Sequence, residues 1–163
     1  MLTAEEARSL INYDPVTGEF RWRIDRGGPV RRGALAGTYN AAGYRQIMLK
    51  GKRYYAHRLA YLMTHGAWPG HEVDHANLDK SDNRISNLRL ATRSQNRANT
   101  TVTKRNTTGF KGVYYRKREQ RYVASIQVDG VTHCLGYFTT AMDAHAAYSS
   151  AAANLNGEFS RVK

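Results

Sequence analysis

An α+β chain in two parts, each a small antiparallel sheet with helix attached, is what this sequence predicts. Three observations predict it. Short runs alternating apolar with polar residues recur between Gly, Asn and Asp clusters, the mark of short strands. Between Val73 and Asn99 two such runs flank a long polar loop and lead into a helix start, a ββα hairpin. After the unpatterned "TTVTKRNTTGFKG" the texture changes to three strands in succession and one alanine-rich helix.

In order along the chain, "TAEEARSLINY" reads as a helix, with Thr3 as N-cap and Glu6 three residues on as a capping box. "DPVTGEFRWRI" is a turn and a strand, Phe20, Trp22 and Ile24 alternating with Arg21 and Arg23. "RGGPVRRGALAGTYNAAG" has no period and reads as a basic Gly-rich loop. "YRQIMLKGKRYYAH" is a hairpin turning at Lys50-Gly51. "AHRLAYLMTHG" is a helix with Leu59, Leu62 and Met63 on one face and Gly66 as its stop. "EVDH" is a short strand, "ANLDKSDNRISN" a polar loop, "LRLAT" a second strand and "RSQNRAN" a helix start. Residues 100–108 are the expected linker. Beyond it "GVYYRK", "RYVASIQVDG" and "VTHCLGYF" are strands, the last two joined at Asp129-Gly130. The final helix begins near Thr140 and Asp143 and stops at Asn156-Gly157, with a stripe of Ala144, Ala147, Tyr148, Ala151 and Leu155. The expected domains are thus 1–99 and 109–163.

Composition narrows the partner. The 163 residues carry 25 Lys+Arg against 13 Asp+Glu, a formal net charge of +12. The excess is +7 over 1–99 and +5 over 100–163, so both parts face a polyanion. Arg dominates, and its planar fork suits phosphate and base edges. One cysteine, Cys134, rules out an internal disulfide or a Cys-built zinc site. The polar, acidic N-terminus is no signal or transit peptide, and no apolar run reaches membrane-span length. A cytoplasmic protein is expected, in a bacterial or phage-infected cell, with no membrane partner and no small-molecule cofactor.

The stretch "VDHANLDKSDNRISNLRLATRSQNRAN" carries the chemistry. Hydrolysing a phosphodiester needs a base for water, a cation to offset phosphate charge, and a group that holds the base. Asp74 offers a hard oxygen for Mg²⁺ or Mn²⁺. His75 titrates near neutrality. Adjacent strand residues point to opposite faces, so the strand must end or bend here for both to serve one site. Asn87 stands where its amide could reach back to His75, and Asn96, with Asn99 as a rival one turn on, where it could meet Asp74 across a metal. An EF-hand fails, since counting from Asn77 the sixth position is Asp82 rather than Gly and the twelfth is Leu88 rather than Glu. His57 opens a helix and is expected to pack or cap there.

The Asp-His pair, the "DNR..NLR" segment and the final Asn together resemble the HNH endonuclease motif of phage and intron-associated nucleases, a ββα-metal (His-Me finger) fold. "GYRQIMLKGKRYYAHRLAYLMTHGAWP" is similar to the lead-in of such enzymes. The resemblance implies His75 as general base, Asn87 as the residue orienting it, and Asp74 and Asn96 as ligands of one divalent ion, Mg²⁺ or Mn²⁺. Many members have His where Asn96 stands, so this ion would be held by two protein groups and completed by phosphate.

"GFKGVYYRKREQRYVASIQVDGVTHCLGYFTTAMDAHAAYSSAAANLNGEF" resembles the AP2/ERF DNA-binding domain, which implies a sheet in the major groove backed by a helix. Strand alternation independently puts Tyr122, Ala124, Ile126 and Val128 on one face and Arg121, Val123, Ser125 and Gln127 on the other. Lys111, Tyr114, Arg116, Arg118, Arg121, Ser125 and Gln127 are the expected DNA contacts. Gln127 and Cys134 depart from the plant pattern. The expectation is a metal-dependent endonuclease acting on double-stranded DNA, a monomer by preference. The alternative is a DNA-binding regulator whose nuclease fold no longer cuts.

Overall fold

The computed structural model describes residues 1–28, 30–103 and 105–162; Pro29 of the Gly-rich loop, Lys104 of the expected linker and Lys163 at the end of the second part lie outside the described residues. Contacts divide the chain into two compact units, Met1–Leu90 and Ala91–Lys163. The division precedes the helix that follows the polar loop, so segment 100–108 lies within the second unit.

In the first unit α1 (Ala4–Leu10) starts on the expected capping box of Thr3 and Glu6. It is shorter than the sequence pattern suggests. Ile11–Tyr13 leave the helix as β1, which pairs antiparallel with β2 (Phe20–Trp22). Ile11 and Phe20 are thereby fully buried, each worth about 1.5–3 kcal/mol. Two extended residues, Thr38–Tyr39 (β3), emerge from the loop where no period was visible and add to β4 (Arg45–Leu49). The partner's backbone groups, not the side chains of β3, define that strand. β4 pairs with β5 (Lys52–Tyr55) through Lys50 and Gly51, both at positive φ. α2 (Ala56–His65) buries Leu59, Leu62 and Met63 and ends on left-handed Gly66, as the sequence predicts. β6 (Glu72–His75) and β7 (Leu88–Ala91) form a two-stranded sheet, with a 3-10 turn at Ile85–Asn87 before β7. The core joins Ile11, Phe20, Ile47, Leu49, Leu59 and Leu62.

The second unit holds α3 (Arg93–Ala98), β8 (Val113–Arg116), β9 (Arg121–Val128), β10 (Val131–Phe138) and α4 (Ala141–Asn156), with β9 central in an antiparallel sheet. Asp129 and Gly130 turn the β9–β10 hairpin at positive φ. Val113, Ala124 and Ile126 pack with Ala144, Tyr148 and Ala152. The buried stripe of α4 is Ala144, Tyr148, Ala152 and Asn156, a strict four-residue spacing; it is rotated from the expected one, and Leu155 is exposed. Gly112 lets the sheet approach the helix: a Cβ there would meet the Tyr148 ring at 2.1 Å.

Six-residue α3 buries no side chain and is too short to persist alone. Its partners within the unit hold it. Thr92 and Gln95 form a capping box. The Asp129 amide donates to Ser94 Oγ at 3.0 Å, and Lys111 Nζ donates to the carbonyls of Ala98 and Thr100. Asn106 knits the following loop, accepting from the amides of Thr108 and Gly109 and donating to the carbonyl of Phe110.

Candidate active site

β6 delivers Val73, Asp74 and His75 consecutively, and all three are buried. The strand ends at His75, as the shared-site requirement demanded. The Leu78 amide donates to the His75 carbonyl at 2.9 Å, with Leu78 at φ +68°, a strained setting for a non-glycine residue. Asp74 Oδ2 accepts from Arg89 Nε of β7 at 3.0 Å, an ion pair largely shielded from solvent.

His75 Nε2 stands 3.5 Å from Asn83 Oδ1. Asn83 Nδ2 donates to the Ser81 carbonyl at 2.9 Å, which fixes the amide with its oxygen toward the ring. Facing an acceptor, Nε2 carries the hydrogen and Nδ1 the basic lone pair. Asn83 is 1% exposed, and its backbone is braced from the β1–β2 hairpin. Tyr13 Oη donates to its carbonyl at 2.8 Å, and a Cβ on Gly18 would meet Arg84 N at 2.5 Å.

Asn87 does different work from that expected. Its Oδ1 accepts from the Asn77 amide at 3.0 Å and its Nδ2 donates to the Asp82 carbonyl at 2.9 Å, closing the polar loop on itself. Asp82 also receives Asn77 Nδ2 and the Arg84 guanidinium, which first of all holds its carboxyl down to about 2. It is Asn83, a residue of the polar loop to which the sequence assigns no role, that meets the His75 ring. The contact depends on a loop folding back across eight residues, and spacing carries no sign of that.

Beside His75 lies a ring cluster. His57, on the first turn of α2, meets His75 edge to face at 5.0 Å between centroids. It stacks on Tyr55 at 5.4 Å, and Tyr44 stands 5.4 Å from His57 and 6.0 Å from His75. Burial pushes His57 down to about 3, helped by His75 and Arg58. Burial also lowers His75 below the ordinary 6.5, offset in part by Asn83 and by Asp74, Asp79 and Asp82. Both rings are neutral at pH 7.

Asp74 fits a hard divalent ion by donor chemistry. Such an ion keeps several waters and asks for one or two carboxylates plus phosphate oxygens. Among the described residues no three His, Cys, Asp or Glu gather into a metal cage. Asn96 is half-buried on α3, in the second unit.

The second unit presents the expected face. On the side of the sheet away from α4, register aligns Tyr114, Val123 and Tyr137 in one row, Arg116 with Arg121, Ser125 with Cys134 and Gln127 with Thr132. Arg118 is exposed in the β8–β9 turn. Arg116 donates to Tyr137 Oη at 2.8 Å, so Tyr137, missed from sequence, belongs to this surface. Lys111 departs from its expected place: it is half-buried and spent on the end of α3, and desolvation lowers it to about 8. Exposed Arg93 and Arg97, one helical turn apart on α3, line a cleft of about 810 Å³ with Thr100, Ser125 and Gln127.

A family model described as HNH endonuclease matches residues 54–98, from β5 through α3. An uncharacterized HNH endonuclease of Acanthamoeba polyphaga mimivirus is 34% identical over 149 residues, covering 89% of this chain and 67% of that protein. A solved structure of DNA binding and cleavage by the HNH homing endonuclease I-HmuI is 25% identical with a TM-score of 0.42, covering 55% of this chain. The match spans about half the length of that solved chain, 51%.

Proposed function

This chain belongs to the HNH endonuclease family, and from that premise we propose that it hydrolyses phosphodiester bonds of double-stranded DNA with His75 as general base. The observation that carries the reading is the Asn83–His75 contact. A buried, neutral imidazole held through Nε2 presents Nδ1 for a proton, which is what activating water requires.

Water's proton passes to Nδ1 as its oxygen bonds to phosphorus, and the bond to the 3′ oxygen breaks; the 3′ oxygen keeps the electron pair and takes a proton from solvent, leaving 5′-phosphate and 3′-hydroxyl ends, and His75 later returns its proton to solvent. Asn83 keeps the ring in the productive tautomer, and the Asn87 loop bonds keep Asn83 within reach. A divalent ion, Mg²⁺ or Mn²⁺, would be held by Asp74 and Asn96 and would offset charge on the phosphate and the departing oxygen. The Arg89 guanidinium, donating to Oδ2, aims the Asp74 carboxylate.

The second unit is proposed as the DNA reader, an AP2-like module in which Tyr114, Arg116, Arg118, Arg121, Ser125 and Gln127 meet DNA. Phosphate contacts by its arginines would position the duplex, and Gln127 and Ser125 are suited to base edges. The protein is proposed to act as a monomer in the cytoplasm of a bacterial or phage-infected cell. The test is nicking of supercoiled plasmid with Mg²⁺ or Mn²⁺. Cutting that EDTA abolishes and His75→Ala loses, with DNA affinity retained, is the expected result. A His75→Ala protein that cuts at the wild-type rate would refute the assignment, and a wild-type chain that binds without cutting would make it a regulator.

A further inference from the structure

We infer that His57 is a positioning residue for the reaction: its imidazole is the wall that holds the His75 ring in its plane. The inference rests on the reading of His75 as the base. Three observations carry it. The two rings meet edge to face at 79° and 5.0 Å, within the range of a favourable aromatic contact. His57 is itself clamped, stacked on Tyr55 at 23° and flanked by Tyr44. It stands on the first turn of α2, whose buried face is anchored in the core by Leu59, Leu62 and Met63, so the wall is rigid.

The third observation is the chemistry of His57. The residue is 8% exposed, and its Nδ1 is buried without a hydrogen-bond partner among the described residues. An unsatisfied buried nitrogen destabilises the fold. Here the ring's value lies in its shape and its lack of charge beside the base. A protonated neighbour would oppose the imidazolium that forms when His75 takes the proton from water; burial keeps His57 uncharged.

With Asn83 holding Nε2 and His57 closing one side, His75 is constrained along two directions. Misplacing a catalytic group by ~1 Å costs on the order of a hundredfold in rate.

The test uses the full chain on supercoiled plasmid under single turnover with Mn²⁺, with DNA affinity measured in parallel. His57→Ala is expected to slow cleavage at least tenfold, leave affinity within twofold, and move the ¹⁵N signals of the His75 ring away from the Nε2–H tautomer. His57→Phe, which restores an uncharged ring and guards against a variant that fails to fold, is expected to recover most of the rate and the His75 signature. Wild-type cleavage and unchanged His75 signals in His57→Ala would overturn the inference. So would a His57→Phe protein as slow as His57→Ala, because the nitrogen itself would then be in use. His75→Ala run alongside separates the two levels. If it cuts normally, the base assignment falls and this inference with it. If it is inactive while His57→Ala is normal, only this inference falls.

Discussion

Burial of His57 has a consequence for stability that can be worked through. The residue titrates at about 3 in the folded chain against an ordinary 6.5. Its folded pKa is depressed and its neutral form is the one the fold accepts. The unfolded chain therefore binds a proton that the folded chain does not, from pH 6.5 down to 3. Stability is fully present above 6.5 and is lost as pH falls through that window. The slope inside it is about 1.4 kcal/mol per pH unit, so between pH 7.5 and pH 4 this one group removes roughly 3 kcal/mol. Against a typical total of about 5–15 kcal/mol that is a large share. Asp82, held at about 2, also loses stability in acid, so the wild-type curve alone does not isolate His57. The comparison with His57→Phe does, because Asp82 is common to both. Urea denaturation of both proteins at pH 7.5 and pH 4 is the assay. The variant is expected to gain about 3 kcal/mol on the wild type as pH drops between those points. Parallel stability curves for the two proteins would refute the reasoning, since they would mean that His57 protonates in the folded state at little cost.

Four further outcomes follow from the site and its supports. Asn83→Ala is expected to lower the single-turnover rate by about tenfold to a hundredfold with DNA affinity unchanged, and equal loss from Asn87→Ala with Asn83→Ala silent would reverse the two roles. Gly18→Ala, at φ +74° with backbone of the Asn83 segment 2.5–2.7 Å from the new Cβ, is expected to destabilise by about 1–3 kcal/mol, and a thermal midpoint equal to wild type would contradict the packing. Lys111→Met is expected to speed amide exchange in α3 by roughly tenfold while β9 stays protected, reflecting the lost bonds to Ala98 and Thr100; unchanged exchange would show that Lys111 does not hold that helix. Arg93→Ala and Arg97→Ala are each expected to reduce the salt slope of DNA binding by about one, as for a phosphate contact, and an unaltered slope would remove α3 from the DNA surface.

Local chemistry made much of this protein legible in its sequence. Thr3 with Glu6, Lys50-Gly51, Gly66 and Asp129-Gly130 are short-range signals, and each marks the start, turn or stop that the structure has. The alternation of Tyr122 to Val128 assigned both faces of the second sheet, because a period of two has one solution once a helix covers one side. The side-by-side Asp74 and His75 announced a strand that had to end at the site. Long-range packing decided the rest. Ile11–Tyr13 became a strand because β2 offered hydrogen bonds and a buried face, which outweighed the helical pattern leading into it. Lys111 was a surface cation by composition, but the open end of α3 drew it inward. Which asparagine reaches His75 was settled by a loop braced by Tyr13 and Gly18, some seventy residues away along the chain. The sequence by itself determined the groups of the candidate site, a carboxylate, an imidazole and amides on a hairpin. Only the tertiary structure decided which amide holds the imidazole and that His57 stands against it, because those contacts join segments whose separation in sequence encodes no distance in space.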